Sequence, residues 1–99
     1  MNYGKEIVKV GLEIGAIKLN ASNPFTWASR FRMPIYNDNR MFLFNSNNRR
    51  LISESFNDIL QSEDIPYDII AGTSTGGISS ATTLADRVQK PLIYVRDKP

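Results

Sequence analysis

The stretch Tyr67–Gly77, which reads Y-D-I-I-A-G-T-S-T-G-G, constrains the fold more than any other part of the chain. Its first five residues form a short apolar run bounded by a proline and a glycine, a pattern typical of a strand buried on both faces in a parallel sheet. From Ile78 the apolar residues recur with the period of a helix. The chain is therefore predicted to run from a strand through a glycine-rich turn into a helix. Such a turn presents backbone N–H groups and a helix N-terminus at the carboxyl edge of a sheet, where anions bind.

Three known motifs compete for this turn. The dinucleotide fingerprint G-x-G-x-x-G fails because Ser74 stands where its second glycine belongs. The phosphate loop G-x-x-x-x-G-K-[ST] fails because Ile78 replaces its lysine. The nucleophile elbow G-x-S-x-G fits Gly72–Gly76, and the segment also resembles the nucleophile motif of patatin-like lipid acyl hydrolases. One hypothesis is therefore an acyl hydrolase with Ser74 as its nucleophile, and a purely structural turn is another.

Composition excludes several classes of site. The 99 residues, 41% hydrophobic and 22% charged with a net charge of +2, are typical of one small globular domain. The chain has no cysteine and no histidine, so disulfides, thiolate or imidazole metal sites and a Ser-His-Asp triad are excluded from it. No apolar run reaches the roughly 18 residues of a membrane span, and no signal peptide opens the chain. We therefore expect a cytoplasmic protein that does not associate with a membrane.

The first 45 residues are predicted to form one helix and several short strands. Apolar spacing predicts an amphipathic helix over residues 3–14, ended by Gly15. Brief strands are predicted over residues 16–19, over Phe25–Ala28 and at Ile35–Tyr36, where residues that favour strands cluster.

From residue 46 the predicted order is helix, strand, helix, strand, which indicates an α/β fold with right-handed crossovers. Ser46 and Asn47 are candidate caps of the first helix. The last strand is predicted over Leu92–Val95, as a second buried strand. The apolar stripe of the first helix is expected to comprise Ile52, Phe56, Ile59 and Leu60.

Charge is distributed unevenly between residues 30 and 50, where five arginines face Asp38 alone. Arginine suits bidentate binding of carboxylates and phosphates, although a basic solvated surface has the same composition. No nucleic-acid motif accompanies these charges, so we expect no nucleic-acid partner. The arginines are Arg30, Arg32, Arg40, Arg49 and Arg50.

Four blocks in order resemble orotate phosphoribosyltransferase: Phe25–Ser29, Pro34–Arg40, the Gly72–Gly77 loop and Tyr94–Pro99. The resemblance implies the start of a type I phosphoribosyltransferase fold, incomplete in this chain. Residues 1–45 would be the N-terminal helix and a small β hood over the orotate site. Residues 46–99 would be the first part of a core with a parallel, Rossmann-like sheet.

The resemblance also implies a reaction and the residues that bind its substrates. Orotate would displace pyrophosphate from phosphoribosyl pyrophosphate (PRPP), giving orotidine 5′-monophosphate in pyrimidine biosynthesis. Arg96, Thr75 and Gly76 match PRPP-binding positions, and Tyr36 and Arg32 match positions of the hood on the orotate side. The family implies Mg²⁺ bound with PRPP rather than a metal site in this segment, and a homodimer with shared active sites.

The chain departs from the family in two places. Where the hood usually reads S-G-x-K-S-P, residues 29–34 read S-R-F-R-M-P, so Arg30 replaces a turn glycine and Met33 replaces a hydroxyl residue. Arg30 is expected to be costly if that position needs a positive φ. The chain ends at Pro99, before the family's mobile catalytic loop, so no catalytic residue is expected within this segment. A fragment of an enzyme and a non-catalytic truncated relative both fit these departures.

Overall fold

A computed structural model describes residues 2–99. Two compact units divide the chain, the first extending to Phe42 and the second spanning Leu43–Pro99. A helix and four short strands come first, and helices then alternate with parallel strands. The predicted α/β class is confirmed. The assignment of residues 1–45 to a hood and 46–99 to a core stays a prediction.

The first unit opens with helix α1, Tyr3–Ile14. The Asn2 side chain accepts a backbone N–H in its first turn, and Gly15 ends it at φ 81°, as predicted. The helix packs closely on the chain that follows, because a Cβ on Gly11 would lie 2.7 Å from the Cδ1 atom of Ile17.

Four short strands form two antiparallel pairs in this unit. Strand β1 (Ile17–Leu19) pairs with β4 (Ile35–Asn37), and β2 (Phe25–Thr26) pairs with β3 (Arg32–Met33). A 3₁₀ helix over Asn39–Leu43 follows. Strand β3 and the 3₁₀ helix were not predicted from the sequence. The buried residues Ala16 and Phe42 form the centre of this unit.

The second unit contains α2 (Ser46–Ser62), β5 (Ile70–Thr73), α3 (Ile78–Val88) and β6 (Leu92–Val95). Strands β5 and β6 pair in parallel, in a register that places the last residue of each strand opposite that of the other. Helix α3 packs on β5 and on α2 through its buried face. The predicted order of elements is confirmed, although β5 begins three residues later than predicted.

Two predictions about α2 are wrong. Asn45, rather than Ser46 or Asn47, caps the helix, because the Asn45 side chain accepts the Asn47 N–H at 2.8 Å while its backbone stays extended. The predicted apolar stripe was expected to face the core, yet two of its four members, Phe56 and Ile59, are each 47% exposed.

Burial of the two parallel strands was also predicted wrongly. All four residues of β6 are exposed, and Gly72 is the buried residue of β5. Apolar sequence indicates a strand, but burial needs neighbouring elements on both faces. Helix α3 contacts this two-stranded sheet, and the apolar side chains of β6 are accessible to solvent.

Candidate anion-binding loop and hood

The Gly72–Gly77 loop is held at the carboxyl end of the parallel strands by backbone hydrogen bonds. The Gly77 N–H donates to the Thr73 carbonyl at 2.9 Å, which closes the turn into α3. The Ser74 N–H donates to the Val95 carbonyl at 2.8 Å, which fixes the loop beside the end of β6. Two strands and a helix start therefore position this loop, as the strand–turn–helix pattern predicts.

Two N–H groups of the loop remain available to a ligand. Within residues 2–99, the backbone N–H groups of Thr75 and Gly76 have no acceptor, and both residues are exposed. A Cβ built on Gly76 would meet no atom within 4 Å, so open space lies on that side of the loop. Gly77 provides no side-chain cap for α3. Exposed N–H groups at a helix start make an environment that favours an anion.

The Ser74 hydroxyl lacks the surroundings of an activated nucleophile. Its hydrogen-bond partner is the Thr75 hydroxyl at 3.2 Å, and the peptide bond between these residues is cis. No carboxylate or amine in the described part of the chain contacts the Ser74 hydroxyl as a base, which nucleophilic catalysis by serine requires. The geometry therefore favours anion binding by the loop backbone over acyl transfer through Ser74.

Arg96 follows β6 at the same end of the sheet as the loop. The register pairs Thr73 with Val95, so Ser74 and Arg96 each come directly after paired strand ends. Arg96 is exposed. The structure thus brings three predicted PRPP-binding residues, Arg96, Thr75 and Gly76, to one sheet edge. Their contacts with a ligand stay predictions.

The two predicted hood residues lie in the first unit. Tyr36 is in β4 and is 38% exposed, and its ring lies 5.8 Å from that of Phe25 at an interplanar angle of 45°. Arg32 is in β3, and its guanidinium donates to the Pro24 carbonyl at 3.4 Å. Because Pro24 and Phe25 are adjacent, both predicted residues contact the start of β2. Their role toward orotate stays a prediction.

Trp27 connects the two antiparallel pairs, a role that the sequence did not reveal. Trp27 follows β2 directly, and its indole Nε1–H donates to the carbonyl of Ile35 in β4 at 2.8 Å. Its backbone also closes the β2–β3 turn through bonds with Phe31 and Arg30, which is why β2 is shorter than predicted. The sequence carries one signal of this contact, a tryptophan that stands at the end of a short predicted strand and just before a turn.

Arg30 adopts the left-handed conformation that its position was expected to require. Its φ is 72°, within the region that favours glycine. The condition set from the sequence, a positive φ at residue 30, is met, so the arginine that replaces the family's turn glycine is expected to strain the β2–β3 turn.

Asp38 and Arg40 form an ion pair just after β4. Arg40 donates to Asp38 through Nε at 2.8 Å and Nη2 at 2.9 Å. This hydrogen bonding lowers the pKa of the Asp38 carboxyl below its usual range and raises the pKa of Arg40. The pair occupies one of the five arginines between residues 30 and 50.

Residues 2–99 contain neither a helix that could span a membrane nor a cluster of side chains that could hold a metal ion. No helix there is long and apolar enough to cross a membrane. No group of three acidic, histidine or cysteine side chains there could hold a metal ion.

Solved structures of phosphoribosyltransferases share this architecture. Orotate phosphoribosyltransferase from Aeropyrum pernix matches with a TM-score of 0.79 and 28% identity, over 94% of this chain and 51% of that protein. The UMP synthase of Leishmania donovani shares the fold, with a TM-score of 0.78 and 24% identity over 95% of this chain and 20% of its own. The predicted type I phosphoribosyltransferase fold is confirmed.

Sequence comparison identifies the particular relatives within that class. Orotate phosphoribosyltransferase of Coxiella burnetii is 41% identical over 98 residues, which is 99% of this chain and 47% of that protein. The Streptococcus sanguinis enzyme of the same name is 41% identical over 99 residues, again 47% of its length. No family model matches the chain. The chain is homologous to orotate phosphoribosyltransferases over its whole length and spans about half of theirs.

Proposed function

We propose that the protein containing this chain is an orotate phosphoribosyltransferase that uses PRPP and releases pyrophosphate. The observation that carries the proposal is the exposed pair of N–H groups at Thr75 and Gly76, beside Arg96 at one sheet edge, in a chain homologous to these enzymes. The product would be orotidine 5′-monophosphate, a step of pyrimidine biosynthesis. This function needs no covalent nucleophile, in keeping with the surroundings of Ser74.

The loop would act as an anion cradle for the pyrophosphate of PRPP. Its Thr75 and Gly76 N–H groups are fixed by the flanking strands, so they would not need to reorganise as negative charge develops on the leaving group. The open space at Gly76 admits an oxyanion close to the backbone. Catalysis in this part of the site would consist of positioning and charge stabilisation.

Arg96 would bind PRPP oxygens through charge-assisted hydrogen bonds. It is exposed at the end of an edge strand, where a guanidinium reaches a ligand without first leaving a buried partner. The family implies that this arginine acts in a site shared between two subunits of a homodimer.

The hood would bind orotate, which is a planar carboxylate. Tyr36 offers a partly exposed aromatic face, held by Phe25, and Arg32 offers a guanidinium suited to a carboxylate. Aromatic packing on the pyrimidine and charge pairing with its carboxylate would together select the base.

Magnesium would be bound by PRPP oxygens rather than by a protein cluster in this part of the chain. The residues that the structure describes offer hydroxyl groups at the loop but no group of acidic ligands, and Mg²⁺ is commonly bound through substrate phosphates. When bound, the metal would neutralise charge on the pyrophosphate. The cytoplasm is the proposed location.

The test is an assay of the purified full-length protein for orotate- and PRPP-dependent pyrophosphate release, with an Arg96→Ala variant beside the wild type. Each lost charge-assisted hydrogen bond contributes about 1.5–3 kcal/mol, so the variant should bind PRPP at least about tenfold more weakly. Orotate affinity should change little. Lys98→Ala, which removes a charge two residues away, is the matched control. Unchanged PRPP affinity in Arg96→Ala would contradict the assignment, and inactivity of the wild type would contradict the function.

A further inference from the structure

An open cleft of about 440 Å³ lies between α2 and α3. From α2 it is lined by Ser46, Arg49, Arg50 and Ser53. These positions follow the spacing i, i+3, i+4 and i+7, so they form one face of the helix. That face of α2 lies toward α3. A helix face that packs on a neighbouring helix usually carries apolar side chains, whereas this one carries two guanidinium groups and two hydroxyl groups.

Helix α3 contributes a third guanidinium to the cleft. Arg87 lines it together with Thr83 and Asp86, which share a helical face with it. The Arg87 guanidinium donates to the Ser53 hydroxyl at 3.0 Å and pairs with Glu54 at 3.4 Å. Ser53 is only 2% exposed, so Arg87 is held in place across the two helices.

Arg49 and Arg50 lie near the N-terminus of α2, where positive charges destabilise a helix. Both occur within the first five residues of α2, and no acidic residue lies in its first turn. The positive end of the helix dipole favours anions there and disfavours cations. Arg49 donates to the Leu43 carbonyl, whereas the exposed side chain of Arg50 bonds to no other residue among those described. A negatively charged ligand would offset this concentration of positive charge.

We propose that this cleft binds a phosphate-type oxyanion, either inorganic phosphate or the phosphate of a phosphomonoester. Arg50 would bind it directly, beside Arg49 and the start of α2. Asp86 is the carboxylate that lines the cleft, and it opposes binding. The three lining arginines outnumber the two carboxylates beside them, Asp86 and the Glu54 that pairs with Arg87. The hydroxyl group of Ser46 adds a donor suited to phosphate.

The cleft is separate from the Gly72–Gly77 loop. The lining residues of α3 begin at Thr83, six residues after Gly77, which is about 9 Å along a helix. The proposal does not depend on the proposed enzymatic activity, because it rests on α2 and α3 alone.

The experiment is a titration of the full-length, isotope-labelled protein with inorganic phosphate and, separately, with ribose 5-phosphate, followed by NMR. Gly76→Val is used as the background, so that binding at the loop is suppressed. Saturable shifts should appear at the backbone of α2 residues 46–50 and at the Arg87 side chain. Binding should weaken as sodium chloride is added, because exposed charge pairs are screened. Tighter binding of ribose 5-phosphate would identify a phosphomonoester, and equal binding would identify free phosphate.

Three variants test whether Arg50 binds the oxyanion in this cleft. Arg50→Gln should raise the dissociation constant about tenfold, as loss of a charge-assisted contact does. Asp86→Asn should lower it, because it removes the opposing charge. Lys9→Gln removes one exposed positive charge from α1 and should leave the dissociation constant unchanged. Absence of saturable shifts in α2 and α3, or equal effects of Arg50→Gln and Lys9→Gln, would overturn the proposal.

Discussion

Gly72 and Ala81 are in contact so close that no side chain fits between them. A Cβ built on Gly72 would lie 2.8 Å from the Ala81 Cβ and 2.9 Å from the Gly77 carbonyl oxygen. The glycine is buried in β5, and Ala81 is on the buried face of α3. This contact sets how near the helix lies to the strand and therefore where the loop between them is held.

Gly72→Ala should destabilise the protein by about 1–3 kcal/mol, the usual range for overpacking a core. Urea unfolding of the full-length protein measures the free-energy change. Gly76→Ala is the matched control, because its Cβ would meet nothing within 4 Å. If the two variants unfold at the same urea concentration, the close contact does not control the position of the helix.

Gly76→Val and Ser74→Ala should separate backbone binding from serine chemistry. The valine side chain would occupy the open space beside the loop N–H groups, so pyrophosphate release should be lost while the fold is kept. Ser74→Ala keeps those N–H groups and removes one neutral hydrogen bond, about 0.5–1.5 kcal/mol, so activity should fall no more than about tenfold.

The activity is measured as PRPP consumption with orotate present, and circular dichroism checks the fold of each variant. An acyl hydrolase would show the reverse pattern. Ester cleavage that disappears in Ser74→Ala, in a protein that never consumes PRPP, would support the patatin-like alternative.

Arg30→Gly should stabilise the protein, because it relieves an arginine at φ 72°. A non-glycine residue in the left-handed region costs about 1–2 kcal/mol, and the greater freedom of glycine in the unfolded chain offsets roughly 0.5–1 of this. We expect a net gain of up to about 1.5 kcal/mol by urea unfolding. Ala28→Gly in the same turn, where φ is not positive, should be destabilising instead. Equal effects of both changes would show that the turn at Arg30 is not strained.

The ion pair between Asp38 and Arg40 predicts a pH dependence of defined sign. Because the pKa of Asp38 is lowered in the folded protein, its contribution to stability is present above the usual aspartate value of about 3.9. That contribution is lost as the pH falls through the lowered, folded-state pKa. NMR titration of the Asp38 carboxyl should give a pKa below the ordinary range.

Arg40→Gln should return the Asp38 pKa toward its ordinary value, because the hydrogen bonds from Arg40 are the largest cause of the shift. Lys18→Gln is the comparison, since Lys18 lowers the same pKa only through a weaker charge interaction. An Asp38 pKa that responds equally to both changes would contradict the role of the hydrogen bonds.

The order of the elements could be predicted from sequence, whereas their burial could not. Gly15 ended α1 as predicted, because a helix end in the left-handed region needs glycine. The stripe that contains Phe56 is half exposed while Ser53 is buried, because the face of α2 toward α3 is polar. Periodicity reveals which residues are apolar, but the packing partner decides which face is covered.

The candidate site was predictable where it depends on backbone and not where it depends on side-chain contacts. The loop follows from glycine and strand–helix order, both local properties of the chain. The cap of α2 was misplaced by one residue because Asn45, Ser46 and Asn47 all favour capping, and only backbone conformation distinguishes them. The Trp27 bond to Ile35 joins residues of different strand pairs, which no local pattern specifies.

The division of the chain at Phe42 and Leu43 has an evolutionary consequence. The turn around Arg30 belongs to the first unit and the glycine-rich loop belongs to the second, so substitutions can be confined to one unit at a time. Under the proposed function, selection on the recognition of a base and selection on the handling of a pyrophosphate could therefore proceed on separate parts of the gene. The departures at Arg30 and Met33, which lie in the first unit, are the pattern that such independent divergence leaves.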